Sequence, residues 1–160
     1  QQLATSLNNM GGNLLGLGAP ELAVPYYEKA LAMCRKLFPE SKYPVGHPVL
    51  AQSLNRLGFV FQATGAVEKA LPLYQQALAM RLRLYPESSY PAGHPDLANS
   101  LGMLGFAYQA AGSAEKALPY FEKALAMNRQ IYPALPPGFY PVWRQILRQG
   151  LLCRLPSGLD

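Results

Sequence analysis

Acidic side chains are scarce: nine Asp and Glu stand against 14 Lys and Arg in 160 residues. A general acid/base pair needs two carboxylates in one sheltered cleft, whereas here the acids fall singly at recurring positions. Glu21, Glu68 and Glu115 lie 47 residues apart, each where a helix would begin and a carboxylate meets the positive end of the dipole. Glu28 and Glu122 each neighbour a lysine, Lys29 and Lys123, as on solvated helix faces. The only histidines are His47 and His94, and the only cysteines are Cys34 and Cys153. Neither histidine has the Cys/His/carboxylate company a zinc site needs, so no metal or cofactor is expected. Two cysteines make no disulfide framework, and the expectation is a reduced, cytoplasmic protein. Phosphate-cradling loops, a Gly-x-Ser-x-Gly elbow and Cys/His nucleophile arrangements are also missing, leaving catalysis without a candidate residue. No apolar run reaches the 18 residues of a membrane span, and no signal peptide is visible. The net charge of +5 is spread along the chain, which speaks against a nucleic-acid partner. Only 14% of residues are charged, so part of the surface is apolar or amide-rich and suits a protein neighbour.

What the chain has instead is self-similarity. A shift of 47 superposes His47 on His94, Leu54 on Leu101, Leu57-Gly58 on Leu104-Gly105, Gly65 on Gly112, Ala70 on Ala117, Pro72 on Pro119 and Met80 on Met127. Leu7, Met10-Gly11, Gly18, Ala23, Pro25, Ala30, Met33 and Phe38 belong to a third copy upstream. A fixed period of about 20–50 residues marks a stacked array. The units are residues 1–46, 47–93 and 94–140, followed by a tail, 141–160. Gln1 aligns with Pro48 and no initiator Met precedes it, so the chain reads as a piece of a longer array.

Each unit contains two amphipathic helices. Leu50, Leu54, Leu57 and Phe61 form one stripe of a first helix, opened by Pro48 and ended by Gly65. The second starts near Val67 and carries Leu71, Tyr74, Leu78 and Leu82 as far as Tyr85-Pro86. Ala70 and Ala77 leave one face without bulk, and Gly58 opposite lets two antiparallel helices approach closely. Met33, Met80 and Met127 are one repeat position and read as core filling.

Leu54-x2-Leu57-Gly58-x2-Phe61, then Ala70-x3-Tyr74 and Ala77, resembles the tetratricopeptide pattern W-x2-L-G-x2-Y…A-x3-F. The His-Pro opening, Leu7-Asn8-Asn9 and the proline within the second helix look like the longer-period repeats of kinesin light chains, found also in bacterial and fungal multidomain proteins. Leu stands where the pattern has Trp, and the period is 47 rather than 34. The resemblance implies an all-α, right-handed superhelical solenoid of three helix–turn–helix units.

The connectors around Tyr43 and Tyr90 are near copies, each with two prolines and two aromatics. Their tyrosine rings should tuck against hairpin ends with the hydroxyls wet; a recognition ridge is the alternative. The His47 and His94 positions, just before helix-opening prolines, suggest capping or packing. In the tail, Trp143, Leu147 and Leu151 recur at helical spacing beside Arg144 and Arg148, which reads as a capping helix over the open end of the third unit. An amphipathic membrane- or partner-binding segment is the sharper alternative.

The first helices carry a second stripe. In the middle unit it is Gln52, Asn55, Arg56, Phe59 and Gln62; flanking equivalents include Asn8 and Asn9, then Asn99, Phe106 and Gln109. Tetratricopeptide arrays line a concave groove with first helices, so the resemblance implies that these residues face it. Amides and an arginine can bond a peptide backbone or acidic side chain, and the phenylalanines can receive an apolar one. Alternatively, the asparagines bond neighbouring units and the phenylalanines belong to the core. The expected function is a non-catalytic scaffold for a protein or peptide partner, with self-association through the array ends as a further option. The alternative is a structural or regulatory segment of a larger effector, such as a protease or nucleotide-driven signalling protein. Late second-helix arginines, Arg35, Arg81, Arg83 and Arg129, meet the negative dipole end and offer a secondary basic patch.

Overall fold

Six helices account for about three quarters of residues 2–134, the part of the chain that the computed structural model describes. They are α1 (Gln2–Gly16), α2 (Pro20–Leu37), α3 (Pro48–Ala63), α4 (Val67–Leu84), α5 (Pro95–Ala110) and α6 (Ala114–Ile131). No strand occurs among the described residues. The capping helix expected within 141–160 lies outside them, as does Cys153.

Local chemistry sets the ends. Pro20, Pro48 and Pro95 open their helices in the first turn, where the missing N–H has no intrahelical partner to lose. His47 and His94 stand at the N-cap, and each ring Nδ1 accepts a helix-opening N–H, from Val49 at 3.2 Å and Asp96 at 3.1 Å. At the other end of α3, Gly65 takes φ +79°. The Ala66 N–H there reaches back to the Phe61 carbonyl and the Gly65 N–H to that of Gln62. This is the left-handed stop that closes a helix without stranding its carbonyls.

Close approach then builds each hairpin. A Cβ added at Gly58 would sit 2.9 Å from the Tyr74 ring. At Gly11 and Gly105 it would meet Tyr27 and Phe121 equally closely. A large aromatic ring on the second helix thus lies flush on the bare backbone of the first. Ala23, Ala70 and Ala117 are fully buried at the same seam.

The three hairpins stand in file. Second helix α2 packs on α3 of the next unit, α4 likewise on α5, and the first helices α3 and α5 also touch. The core accordingly runs along the array. Leu31, Leu54, Leu57 and Ala77 share a cluster across the first junction, and Tyr74, Leu78, Leu101 and Leu104 one across the second. No described helix is long and apolar enough to cross a membrane.

Candidate functional site

The first-helix layer is almost free of charge. Along α1 and α3 the only charged side chain is Arg56. It lines a pocket of about 120 Å³ at the junction of the first two units, together with Thr5, Asn8, Asn9 and Gln52. Cys34, Leu37, Phe38 and Val49 supply its apolar wall. Four expected site residues (Asn8, Asn9, Gln52 and Arg56) therefore converge. Arg56 also lies close enough to Tyr27 for its charge to offset part of the upward push that burial gives that phenol. Asn8 presents a buried Oδ1 that accepts no hydrogen bond. Such an oxygen costs about 1–3 kcal/mol unless a donor reaches it.

The other expected residues divide. Phe59 is 48% exposed, whereas Phe106, its equivalent one unit on, is buried at 7%. Phe106 stands edge-on to Phe121 with ring centroids 4.8 Å apart, inside the third hairpin, so its ring gives a partner nothing to touch. Gln62 is half-buried and accepts the Tyr74 hydroxyl at 3.2 Å. Asn55 donates to Ser100 Oγ at 3.3 Å, bridging two units, while its own Oδ1 is buried and unpaired. Asn99 is exposed and Gln109 half-buried, further along the same layer.

A second set of residues holds the junctions, and it includes Arg81, which is buried there rather than part of a surface basic patch. Cys34 and Ser53 approach to 3.3 Å, Sγ to Oγ, fully inside the first. At the second, the equivalent of Cys34 is Arg81, 5% exposed, which donates to Ser100 Oγ at 2.7 Å and to the Asp96 carbonyl at 2.6 Å. The Asp96 carboxylate lies 4.0 Å away and also accepts the Tyr85 hydroxyl. Burial pulls the Arg81 guanidinium below its usual range, against the opposing pull of Asp96. The signal was present in the 47-residue register, since Ser6, Ser53 and Ser100 are one repeat position. Their partners vary in chemistry between copies, so comparing copies did not reveal them.

The connectors form matched clasps. Phe38 stacks on His47 at 3.7 Å and Tyr85 on His94 at 3.6 Å, with Tyr43 and Tyr90 closing edge-on against both rings. The histidines thus cap and pack, and the tyrosines tuck in as expected. Among the described residues, no group of three or more His, Cys, Asp or Glu is placed to hold a metal ion.

Paired antiparallel helices stacked in file, with a small residue facing an aromatic in each pair, define an α-helical repeat scaffold. The Tetratricopeptide repeat family matches residues 2–83 and again 49–130, and the chain belongs to it. Its array is of the kind seen in kinesin light chain-type repeats. BtubC (BKLC) from P. vanneervenii is similar at 27% identity with a TM-score of 0.69, over 85% of this chain and 50% of that one. A Podosopora anserina putative kinesin light chain with nearly identical TPR-like repeats shares 24% identity with a TM-score of 0.72, over 94% of this chain and 64% of that one. Aspartyl phosphate phosphatase F from Bacillus subtilis shares the fold at 17% identity with a TM-score of 0.64, over 95% of this chain and 37% of that one. The chain thus spans less than two thirds of the length of each of these proteins. No curated protein sequence matches it.

Proposed function

We propose that this array is a non-catalytic, cytoplasmic scaffold that binds an extended peptide or partner domain along its first-helix face. The observation that carries the reading is the junction pocket, where four amide or hydroxyl side chains surround the one cation of two otherwise uncharged helices, α1 and α3. The exposed Asn9 and Gln52 amides suit a peptide backbone, Arg56 suits a carboxylate or carbonyl, and exposed Phe59 suits an apolar side chain, while Asn8, its Oδ1 buried, lies beneath them. Asn9, Gln52, Asn99 and Gln109 extend the polar lining, while Asn55, Gln62 and Phe106 hold the scaffold beneath. Stacked hairpins keep such a surface in place, so binding costs the receptor little ordering entropy. The repeat bounds 1–46, 47–93 and 94–140 belong to the same proposal. As a test, the chain and a Gln52→Ala/Arg56→Ala variant serve as matched baits for proteins identified by mass spectrometry. Partners held by this face drop out with the variant while circular dichroism stays unchanged; equal recovery from both baits removes the face from consideration.

A second reading, self-association or docking on a larger effector, has its own support. Leu3 and Met10 on α1 are 59% and 48% exposed. Their equivalents, Leu50 and Leu97, then Leu57 and Leu104, are at most 9% exposed because the preceding unit covers them. Light scattering decides between chains: a mass that rises with concentration and returns to the monomer value in Leu3→Ser/Met10→Ser supports association through this end.

A further inference from the structure

A larger cavity opens on the other layer of the array. It measures about 390 Å³ and lies between α2 and α4, closed on one side by the connector between the first two units. Helices α2 and α4 each pack on α3 but barely touch one another, and the gap between these second helices is what remains open. Its floor is apolar, formed by Phe38, Tyr43, Leu50, Leu54 and Met80. Its rim carries Arg35 and Arg83, both exposed, and Glu40. The one ion pair found among the described residues, Arg81 with Asp96, engages none of these three.

The repeat supplies an internal comparison. One unit on, the floor is the same: Tyr85, Tyr90, Leu97, Leu101 and Met127 replace its five residues. The rim differs, because Arg35 becomes Leu82 and Arg83 becomes Gln130. Folding therefore accounts for the floor, which recurs, but makes no demand for two guanidinium groups over it. Two arginines less one glutamate leave a single net positive charge at the mouth. That balance suits a monoanion better than a phosphate dianion, and guanidinium pairs planar carboxylates through two parallel bonds.

We propose that this cavity is a binding site for a small organic acid with an apolar body, an aryl or medium-chain acyl carboxylate. Its volume falls within the range of about 300–1,000 Å³ typical of small-ligand sites, and an apolar lining with a few charged groups is their usual make-up. The apolar body lies on Phe38, Leu54 and Met80, and the carboxylate bridges Arg35 and Arg83.

Titration calorimetry with sodium octanoate below its micelle concentration tests the assignment. Saturable one-to-one binding is expected, with octanol, which lacks the charge, binding at least about tenfold more weakly. Arg35→Gln/Arg83→Gln should lose binding by a similar factor, and Ala79→Phe, which fills the cavity from an exposed position on α4, should abolish it with both arginines in place. Arg56→Gln, on the first-helix layer, should leave it unchanged. All these positions are at least partly exposed, and unaltered circular dichroism verifies folding. Absence of saturable binding by the unmodified chain overturns the proposal. So does undiminished binding by either cavity variant, or an equal loss in Arg56→Gln.

Discussion

Replacing Gly58 with alanine should destabilise the array even though alanine is the better helix former. The intrinsic preference favours the substitution by about 1 kcal/mol in a helix interior. Against it, the new Cβ lies 2.9 Å from Tyr74 Cε1 and 3.1 Å from Cδ1 and Cζ, closer than carbon atoms rest. Tyr74 is fully buried, so its ring has nowhere to swing, and the hairpin must open or the ring must tilt. Overpacking of this kind costs about 1–3 kcal/mol. A tilt also strains the 3.2 Å bond to Gln62, worth about 1 kcal/mol more. The net expectation is a loss of about 1–3 kcal/mol in urea unfolding, with an unchanged m-value. Gly12 gives the control within the same fold. Its added Cβ meets only the Tyr27 hydroxyl, at an ordinary 3.7 Å, so Gly12→Ala should stabilise by up to about 1 kcal/mol. A double-mutant cycle pairing Gly58→Ala with Tyr74→Leu should show coupling of about 1 kcal/mol or more, because the smaller side chain makes room for the methyl. The reasoning fails if Gly58→Ala stabilises as Gly12→Ala does, or if the two changes simply add.

Further outcomes are expected elsewhere. Arg81→Ala should cost about 3 kcal/mol, because it empties a buried junction and removes the guanidinium bonds to the Asp96 carbonyl and to Ser100, which keeps only the longer one from Asn55; urea unfolding measures this. His47 caps α3 through a neutral Nδ1, and burial holds its pKa below the ordinary 6.5. Its contribution is therefore complete above pH 6.5 and is lost as the pH falls through the depressed value. Thermal midpoints between pH 8 and 5 should show this decline, and His47→Asn, which caps without titrating in that range, should remove the histidine component. Met80→Leu should change stability by less than about 1.5 kcal/mol, as volume-conserving core swaps do, in a differential scan.

Much of the scaffold was legible because its signals are local or periodic. Pro48 after His47 fixes where α3 begins and Gly65 where it ends, and the 47-residue register carries both to the third unit. A close approach at Gly58 could be read from the small residues at Ala70 and Ala77, although it is the Tyr74 ring that fills it. Contacts between units were less visible. Arg81 looked like a cation at a helix C-terminus, yet it is buried, because its partners lie in the next unit and a periodic pattern does not record which side of a helix meets a neighbour. Phe59 and Phe106 make the same point more sharply. They occupy one repeat position, but one ring faces solvent and the other packs edge-on to Phe121. Register gives a residue its address and leaves its rotamer to the surroundings.

The variable column of Cys34 and Arg81 has a consequence for how such an array can grow. Both described aromatic clasps recur in the same register, so a duplicated segment 47–93 would arrive with its own fastening. Arg81 would not be served so well. In a tandem copy of residues 47–93 it would face a second Val49, where Asp96 now supplies a carboxylate. Its hydroxyl partner would persist as Ser53, but the countercharge would be gone. The reading order of the units is therefore written into their seams, and shuffling them would strand a cation indoors.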